Sequence, residues 1–396
     1  MRRPGDADIL LIADLFPPRT GGSGRWLWEL HRRLEDVRVH VAAGAAQDSE
    51  LFDQASAVPI VRLPLSFSNW GISSPRGAFQ YGRATRLVAR LIRDVRPGVM
   101  HCGKCLPEGL IASLMKRRYG IPFVCFAHGE ELTLAATSRE LSWLTGRVLR
   151  DAVHVIANSV HSKMIVRNTW GLPDGKVTVM HPGVDTSRFV PAPPDVEVRK
   201  HLDWTDRRVI LTVGALQKRK GQDMMIRALP AIRARFPDVL YSIVGEGWER
   251  PYLDRLAADL GVSESVQFRG VPSDAELVTC YQQCDVFALP NRQVGWDLEG
   301  FGMVLLEAQA CGRPVITGDS GGTSEAIRPD ETGLVISCQT AEPIVDALCS
   351  ILDNPDRGAQ MGIRGRDRAV TQFDWQLLGH QADALFARTD AKAAGN

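Results

Sequence analysis

Two doubly wound α/β domains of similar length are predicted for this chain, and three features carry the prediction. Short, continuously apolar runs alternate with amphipathic segments from end to end. The alternation pauses once, at Pro191-Ala192-Pro193-Pro194-Asp195, and 396 residues suffice for two cores. Unbroken rather than alternating hydrophobicity marks strands buried on both faces, as in a parallel sheet covered by helices.

In the first half the apolar runs predict strands over 9–16, 37–43, 99–102, 123–128, 153–158 and 177–180. Helical patterns fall between them, among them 24–34, 106–118 and 161–170. After the proline-rich pause the strands resume at 209–213, 240–244, 266–269, 286–289 and 314–317. Helices are predicted over 222–236, 251–260, 275–284 and 303–310. The expected division is a first domain at 1–190, a linker at 191–206, a second domain at 207–370, and a helix at 371–396 crossing back to the first. In such sheets ligands bind at the carboxyl ends of the strands, so two facing sheets would frame one interdomain site.

Charge and composition remove several classes. With 47 Lys and Arg against 46 Asp and Glu, the net charge of +1 supplies no field for non-specific nucleic-acid binding. No apolar run approaches the eighteen or so residues that span a bilayer, and the first residues lack a signal-peptide pattern. Eight scattered cysteines fit a reduced, cytoplasmic setting. Cys102 and Cys105, beside His101, have redox or zinc spacing, and Cys280 and Cys284 lie one helical turn apart. No second tight pair completes a zinc site, so these read as buried thiols.

The strongest chemical signal is Glu299-Gly300-Phe301-Gly302-Met303-Val304-Leu305-Leu306-Glu307, which follows a strand and loop and opens a helix. Its glycines let the backbone approach a ligand and present amide donors at a helix N-terminus. A carboxylate can accept two hydroxyl hydrogen bonds at once, which suits a vicinal diol such as a ribose. This reading requires that neither acid be locked into ion pairs with neighbouring cations. Lys218-Arg219-Lys220-Gly221 follows another strand, and a cationic strand end suits a diphosphate, lysine as a point charge and arginine as a fork. Gly21-Gly22-Ser23-Gly24 stands between the first strand and the first helix, where amides can face an anion. Val244-Gly245-Glu246-Gly247 fails as a dinucleotide fingerprint, since Arg250 stands where the third glycine would be, and reads as a tight turn.

The acid pair with seven residues between its members resembles the signature of retaining glycosyltransferases of family 4, which adopt the two-domain GT-B form. The strand and loop at 213–221, Phe268-Arg269-Gly270-Val271-Pro272, Pro290-Asn291, Gly321–Glu325, Phe126-Ala127-His128-Gly129 and Val184-Asp185 with Phe189 resemble that family in order and spacing. The resemblance implies a hexosyltransferase that moves a sugar from a UDP- or GDP-linked donor to an acceptor hydroxyl of a glycan, lipid or metabolite, with no further cofactor; no Asp-x-Asp stands at a strand end, Asp6-Ala7-Asp8 preceding the first strand, so metal independence is expected. It implies catalytic roles for His128, Glu299 and Lys220. It implies donor contacts at Gly22, Arg219, Lys220, Val271, Pro272, Glu299, Gly300, Phe301, Gly302, Met303 and Glu307, with Glu307 on the ribose. One departure stands out: Ala215 occupies a position where the family commonly carries arginine.

Two other readings keep the fold: a sugar-nucleotide epimerase or phosphorylase, and a non-catalytic nucleotide-sugar binding protein. A separate feature is physical. Arg83, Arg86, Arg90 and Arg93 fall on one arc of a helical wheel, opposite Leu87, Leu91, Ile92 and Val95. This is either a solvated face or a peripheral contact with an anionic membrane on its inner side.

Overall fold

The computed structural model describes residues 8–394 except 20 and 36. The chain forms two compact units. Residues up to Pro182 and those from Trp375 onward make the first, and Gly183–Asp374 makes the second.

The first unit holds seven parallel strands: β1 (Ile9–Ala13), β2 (Val39–Gly44), β3 (Ile60–Leu63), β4 (Val99–Cys102), β5 (Phe123–Ala127), β6 (His154–Ala157) and β7 (Val177–Val179). Their spatial order is β3-β2-β1-β4-β5-β6-β7. Ile9 is in register with Val39 on one side and Val99 on the other, so chain order reverses beside β1. Ile9, Leu10, Leu11 and Ile12 are all fully buried. Each such side chain contributes about 1.5–3 kcal/mol relative to exposure, which is why the run shows no polar alternation.

The second unit repeats the plan with β8 (Arg208–Val213), β9 (Val239–Val244), β10 (Val266–Phe268), β11 (Val286–Leu289), β12 (Val315–Gly318) and β13 (Gly333–Ile336). These are ordered β10-β9-β8-β11-β12-β13, and order reverses beside β8. Strand reversal leaves a crevice above the carboxyl ends of β8 and β11, the usual ligand position in open parallel sheets.

Three differences from the sequence reading have physical causes. Strands β3 and β13 were not predicted; both are four-residue sheet edges, and β3 is largely uncovered, so neither shows a long apolar run. The second unit starts before the proline-rich stretch. The Val184 amide donates to the Phe373 carbonyl at 2.8 Å, Thr186 donates to Asp374, and Phe189 is fully buried. The predicted linker is itself folded within this unit, with helix Val196–His201 capped by Asp195 and Trp204 fully buried. The closing helix, Trp375–Ala394, belongs to the first unit, where the Phe386 ring meets His101 at 4.6 Å.

Candidate active site

Residues at the carboxyl ends of β8 and β11 build the site of the second unit. After β8 the chain makes a short turn, Lys218–Lys220, and enters helix Gln222–Arg235 through Gly221. Gly221 has a φ of 76°, and a Cβ there would lie 1.8 Å from the Pro290 carbonyl oxygen, so only glycine lets this turn press on the end of β11. The Arg292 amide donates to the Arg219 carbonyl at 2.8 Å, and its guanidinium forks onto Asp223 at 2.7 and 2.8 Å. Asn291, fully buried, donates to the Ser320 carbonyl and accepts from Thr317 and the Gly318 amide. This holds the ends of β11 and β12 together.

The loop 290–302 then delivers Glu299 to the basic turn. Its Oε2 meets Lys220 Nζ at 2.6 Å and Arg219 Nη1, while Arg219 Nε lies 3.0 Å from Asp297 Oδ1. The side chains of Glu299, Arg219 and Lys220 are only 11–13% exposed. Burial alone would raise the Glu299 pKa, but the two adjacent cations outweigh it and lower it to about 2. The expectation that both acids stand clear of cations is therefore overturned for Glu299. The physical reason is local: a basic turn pressed against a low-dielectric strand end needs a counterion, and Glu299 is the nearest one.

Gly302 has a φ of 83° and opens helix Met303–Ala310 without a side-chain cap, so donors at this N-terminus are backbone amides. Glu307, on the second turn, is 4% exposed and accepts from the Tyr281 hydroxyl at 2.7 Å. The sequence-predicted residues separate here. Glu299, Arg219 and Lys220 form one cluster. Gly300, Gly302 and Met303 lie between it and Glu307 along the chain. The Phe301 side chain is turned into the core and meets Phe373 at 6.1 Å, so a donor contact there is confined to its backbone. Val271 and Pro272 follow β10, at the sheet's edge, where the Gly245 amide donates to the Gly270 carbonyl. Val271 is 64% exposed. Exposed Ala215 stands after β8, its carbonyl taking the Gln222 amide.

In the first unit, Gly22 begins helix Gly22–His31 just after β1. His128 directly follows β5, packs edge-on against Trp26 at 5.3 Å and bonds the Gly103 carbonyl through Nε2. A carbonyl only accepts, so Nε2 carries the proton in this bond. Its backbone is pinned as well, the amide to Glu131 at 2.7 Å and the carbonyl by Asn158 at 3.0 Å. Nearby, Asp14 gathers Lys104, Arg19 and Ser66. The Asp14 amide donates to Glu108, a carboxyl that burial raises to about 7 against the pull of Lys104.

Sequence reasoning missed Arg292, Asp223, Tyr281, Glu131 and Asp14. A signal existed for Arg292, since an arginine directly after a buried strand needs an acid, but nothing in one sequence names Asp223 as that acid. All eight cysteines are free and buried. Among the described residues no group of three or more His, Cys, Asp or Glu side chains is placed to hold a metal ion.

Comparison with known proteins follows the same division. The family described as "Glycosyltransferase Family 4" matches residues 20–188, and "Glycosyl transferases group 1" matches 195–368. A GDP-mannose-dependent alpha-(1-6)-phosphatidylinositol monomannoside mannosyltransferase of Mycolicibacterium smegmatis is 35% identical over 98% of this chain and 100% of its own. A monoacylated-substrate counterpart from Corynebacterium glutamicum is 30% identical over 94% and 96%. Anabaena HepE in complex with UDP superposes with a TM-score of 0.82 at 21% identity, covering 96% of this chain and all of its own. Sucrose-phosphate synthase of Thermosynechococcus elongatus gives 0.81 at 20% identity, over 97% and 100%. The fold is GT-B, two Rossmann-like domains. The chain belongs to the family 4, group 1 glycosyltransferases, and it is an enzyme of that class.

Proposed function

We propose that this enzyme transfers mannose from GDP-mannose, with retention of anomeric configuration and without a metal ion, to a hydroxyl of an inositol phospholipid that already carries one mannose. The carrying observation is the cluster of Lys220, Arg219 and Glu299 at the reversal point of the second sheet. The relatives' shared dependence on GDP-mannose supports the choice of donor.

Departure of a nucleoside diphosphate places growing negative charge on its phosphates. Cations and helix-terminal amides placed at the departing phosphates lower that barrier by stabilising the developing charge. Lys220 and Arg219 take this role, with the Gly302–Met303 helix start. An incoming diphosphate adds a second anion to the same two cations and draws them from Glu299, whose carboxylate then accepts hydroxyls of the sugar. Glu307 holds the ribose. With no partner acid assigned as nucleophile, the acceptor attacks on the face from which the diphosphate leaves, and the donor phosphate takes its proton.

A lipid acceptor requires contact with a bilayer. On helix Pro75–Val95, Arg83, Arg86, Arg90 and Arg93 are all exposed, together with Phe79, while Tyr81, Ala84, Val88 and Ile92 are buried. Exposed arginines beside an exposed aromatic ring suit an anionic lipid surface. Among the described residues no helix is long and apolar enough to cross a membrane, so the contact proposed is peripheral.

The test is turnover of labelled GDP-mannose against UDP-glucose and UDP-galactose, with a mannosylated inositol phospholipid or inositol phosphate as acceptor, with and without EDTA. Lipid mannosylation unaffected by chelator is expected. Use of a UDP-sugar alone overturns the donor, transfer to inositol phosphate alone overturns the acceptor, and magnesium-restored activity overturns the metal-free step. Conversion of donor without any acceptor supports the epimerase instead.

A further inference from the structure

Tyr281, on helix Asp274–Gln283, is fully buried in an apolar cluster with Phe189, Phe287, Leu305 and Leu306. Its ring meets Phe189 edge-on at 5.7 Å and Phe287 at 5.5 Å. A phenol so enclosed has to give its O–H to an internal acceptor, and here that is Glu307 Oε2, 2.7 Å away.

From this pairing we infer that Tyr281 is a positioning residue for the donor's ribose, acting by fixing the plane of the Glu307 carboxylate; the inference rests on the reading of Glu307 as the ribose acceptor. A glutamate side chain turns about three bonds, whereas gripping a vicinal diol needs its carboxylate held in one orientation. The Tyr281 ring, wedged between two other aromatic rings, cannot follow a swinging carboxylate, so its hydroxyl works as a fixed stop. The hydrogen bond is charge-assisted and shielded from water, which makes it strong enough to select one rotamer. Removing it leaves Glu307 in place but more weakly oriented.

Tyr281→Phe deletes one oxygen and keeps the ring packing. Calorimetric titration of the full-length protein with GDP and with 2′,3′-dideoxy-GDP reads the diol contact directly. Wild type is expected to prefer GDP, and Glu307→Gln to lose the preference. Tyr281→Phe should bind GDP about tenfold more weakly, bind the dideoxy nucleotide unchanged, and keep kcat at saturating donor within about twofold. A Tyr281→Phe protein with the wild-type GDP preference overturns the inference while leaving the ribose reading intact. A Glu307→Gln protein that retains the preference overturns both. Should the single variant fail to fold, the double variant Tyr281→Phe/Glu307→Gln removes hydroxyl and buried charge together. Matching Glu307→Gln in GDP affinity supports the inference, and binding several-fold more weakly than it refutes it.

Discussion

Lys220 Nζ lies 2.6 Å from Glu299 Oε2, and Arg219 reaches the same oxygen, so one carboxylate oxygen bridges two cations at a buried strand end. The cations depress the Glu299 pKa from 4.5 to about 2 in the fold. A depressed carboxyl stabilises the fold above its unfolded pKa and loses that contribution as pH falls through the folded value. The window is thus roughly pH 4.5 down to 2, and the linked stability is on the order of 3 kcal/mol. Glu299→Gln should melt well below wild type at pH 6, and the gap should close steadily toward pH 3. A melting difference that stays constant over that range contradicts the coupling.

Lys220→Ala should act mainly on kcat, because its ammonium gains most when the diphosphate charge develops. Loss of a fixed charge at a leaving group costs about 10²–10³ in rate. Lys220→Arg keeps the charge but not the compact reach, and should recover only part of it. Steady-state kinetics under saturating donor decide the point, and a Lys220→Ala enzyme with the parent kcat removes Lys220 from the reaction.

How far the sequence reached can be judged from particular residues. Helix Met303–Ala310 was legible to the residue, because Gly302 opens it, Gly312 follows its end, and the apolar run between needs no partner to be recognised. Lys220 was legible as a candidate from its place before Gly221 after a strand, and Glu299 from its place before Gly300 and Gly302 at a helix start. The pairing of Glu299 with the basic turn was not, since 80 positions separate it from Arg219 and one sequence carries no information on which charges meet. The pairing of Arg292 with Asp223 stayed invisible for the same reason. Phe301, a donor contact implied by the family resemblance, has its side chain in the core, where an aromatic ring beside a buried helix start gains most from burial, so its backbone alone is left for a ligand. Strand β3 escaped because a sheet edge with one solvated face lacks the unbroken apolar run that marked the central strands.

The arginine face of helix Pro75–Val95 should be separable from catalysis. Near an anionic leaflet each basic residue contributes about 1 kcal/mol, screened by salt. Replacing Arg83, Arg86, Arg90 and Arg93 together with glutamine should abolish co-sedimentation with phosphatidylserine-containing vesicles. Wild-type binding should weaken as salt rises. Transfer to a detergent-dispersed acceptor should persist in the variant, since none of the four residues belongs to the Lys220–Glu299 cluster. Unchanged vesicle binding by the variant rejects this face as the membrane contact.

The Arg292–Asp223 pair carries the last prediction. Both side chains are at most 10% exposed, and the fork is two-pronged at 2.7 and 2.8 Å. Breaking one partner of a buried pair leaves a charge with neither water nor counterion, at a cost of about 3–5 kcal/mol. In a unit of this size that lowers Tm by on the order of 10 °C. Replacing both with apolar residues of similar volume removes the stranded charge, so Asp223→Leu/Arg292→Met should melt closer to wild type than Asp223→Ala does. Activity should follow a different order. The Arg292 amide holds the Arg219 carbonyl, and the loop that carries Glu299 follows directly from Arg292. The apolar double variant should therefore recover stability without recovering kcat, because the backbone bond to Arg219 persists but the loop loses the guanidinium fork that ties Arg292 to helix Gln222–Arg235. Parallel melting curves and donor-saturated rates test this, and a double variant that regains both assigns the pair to stability alone.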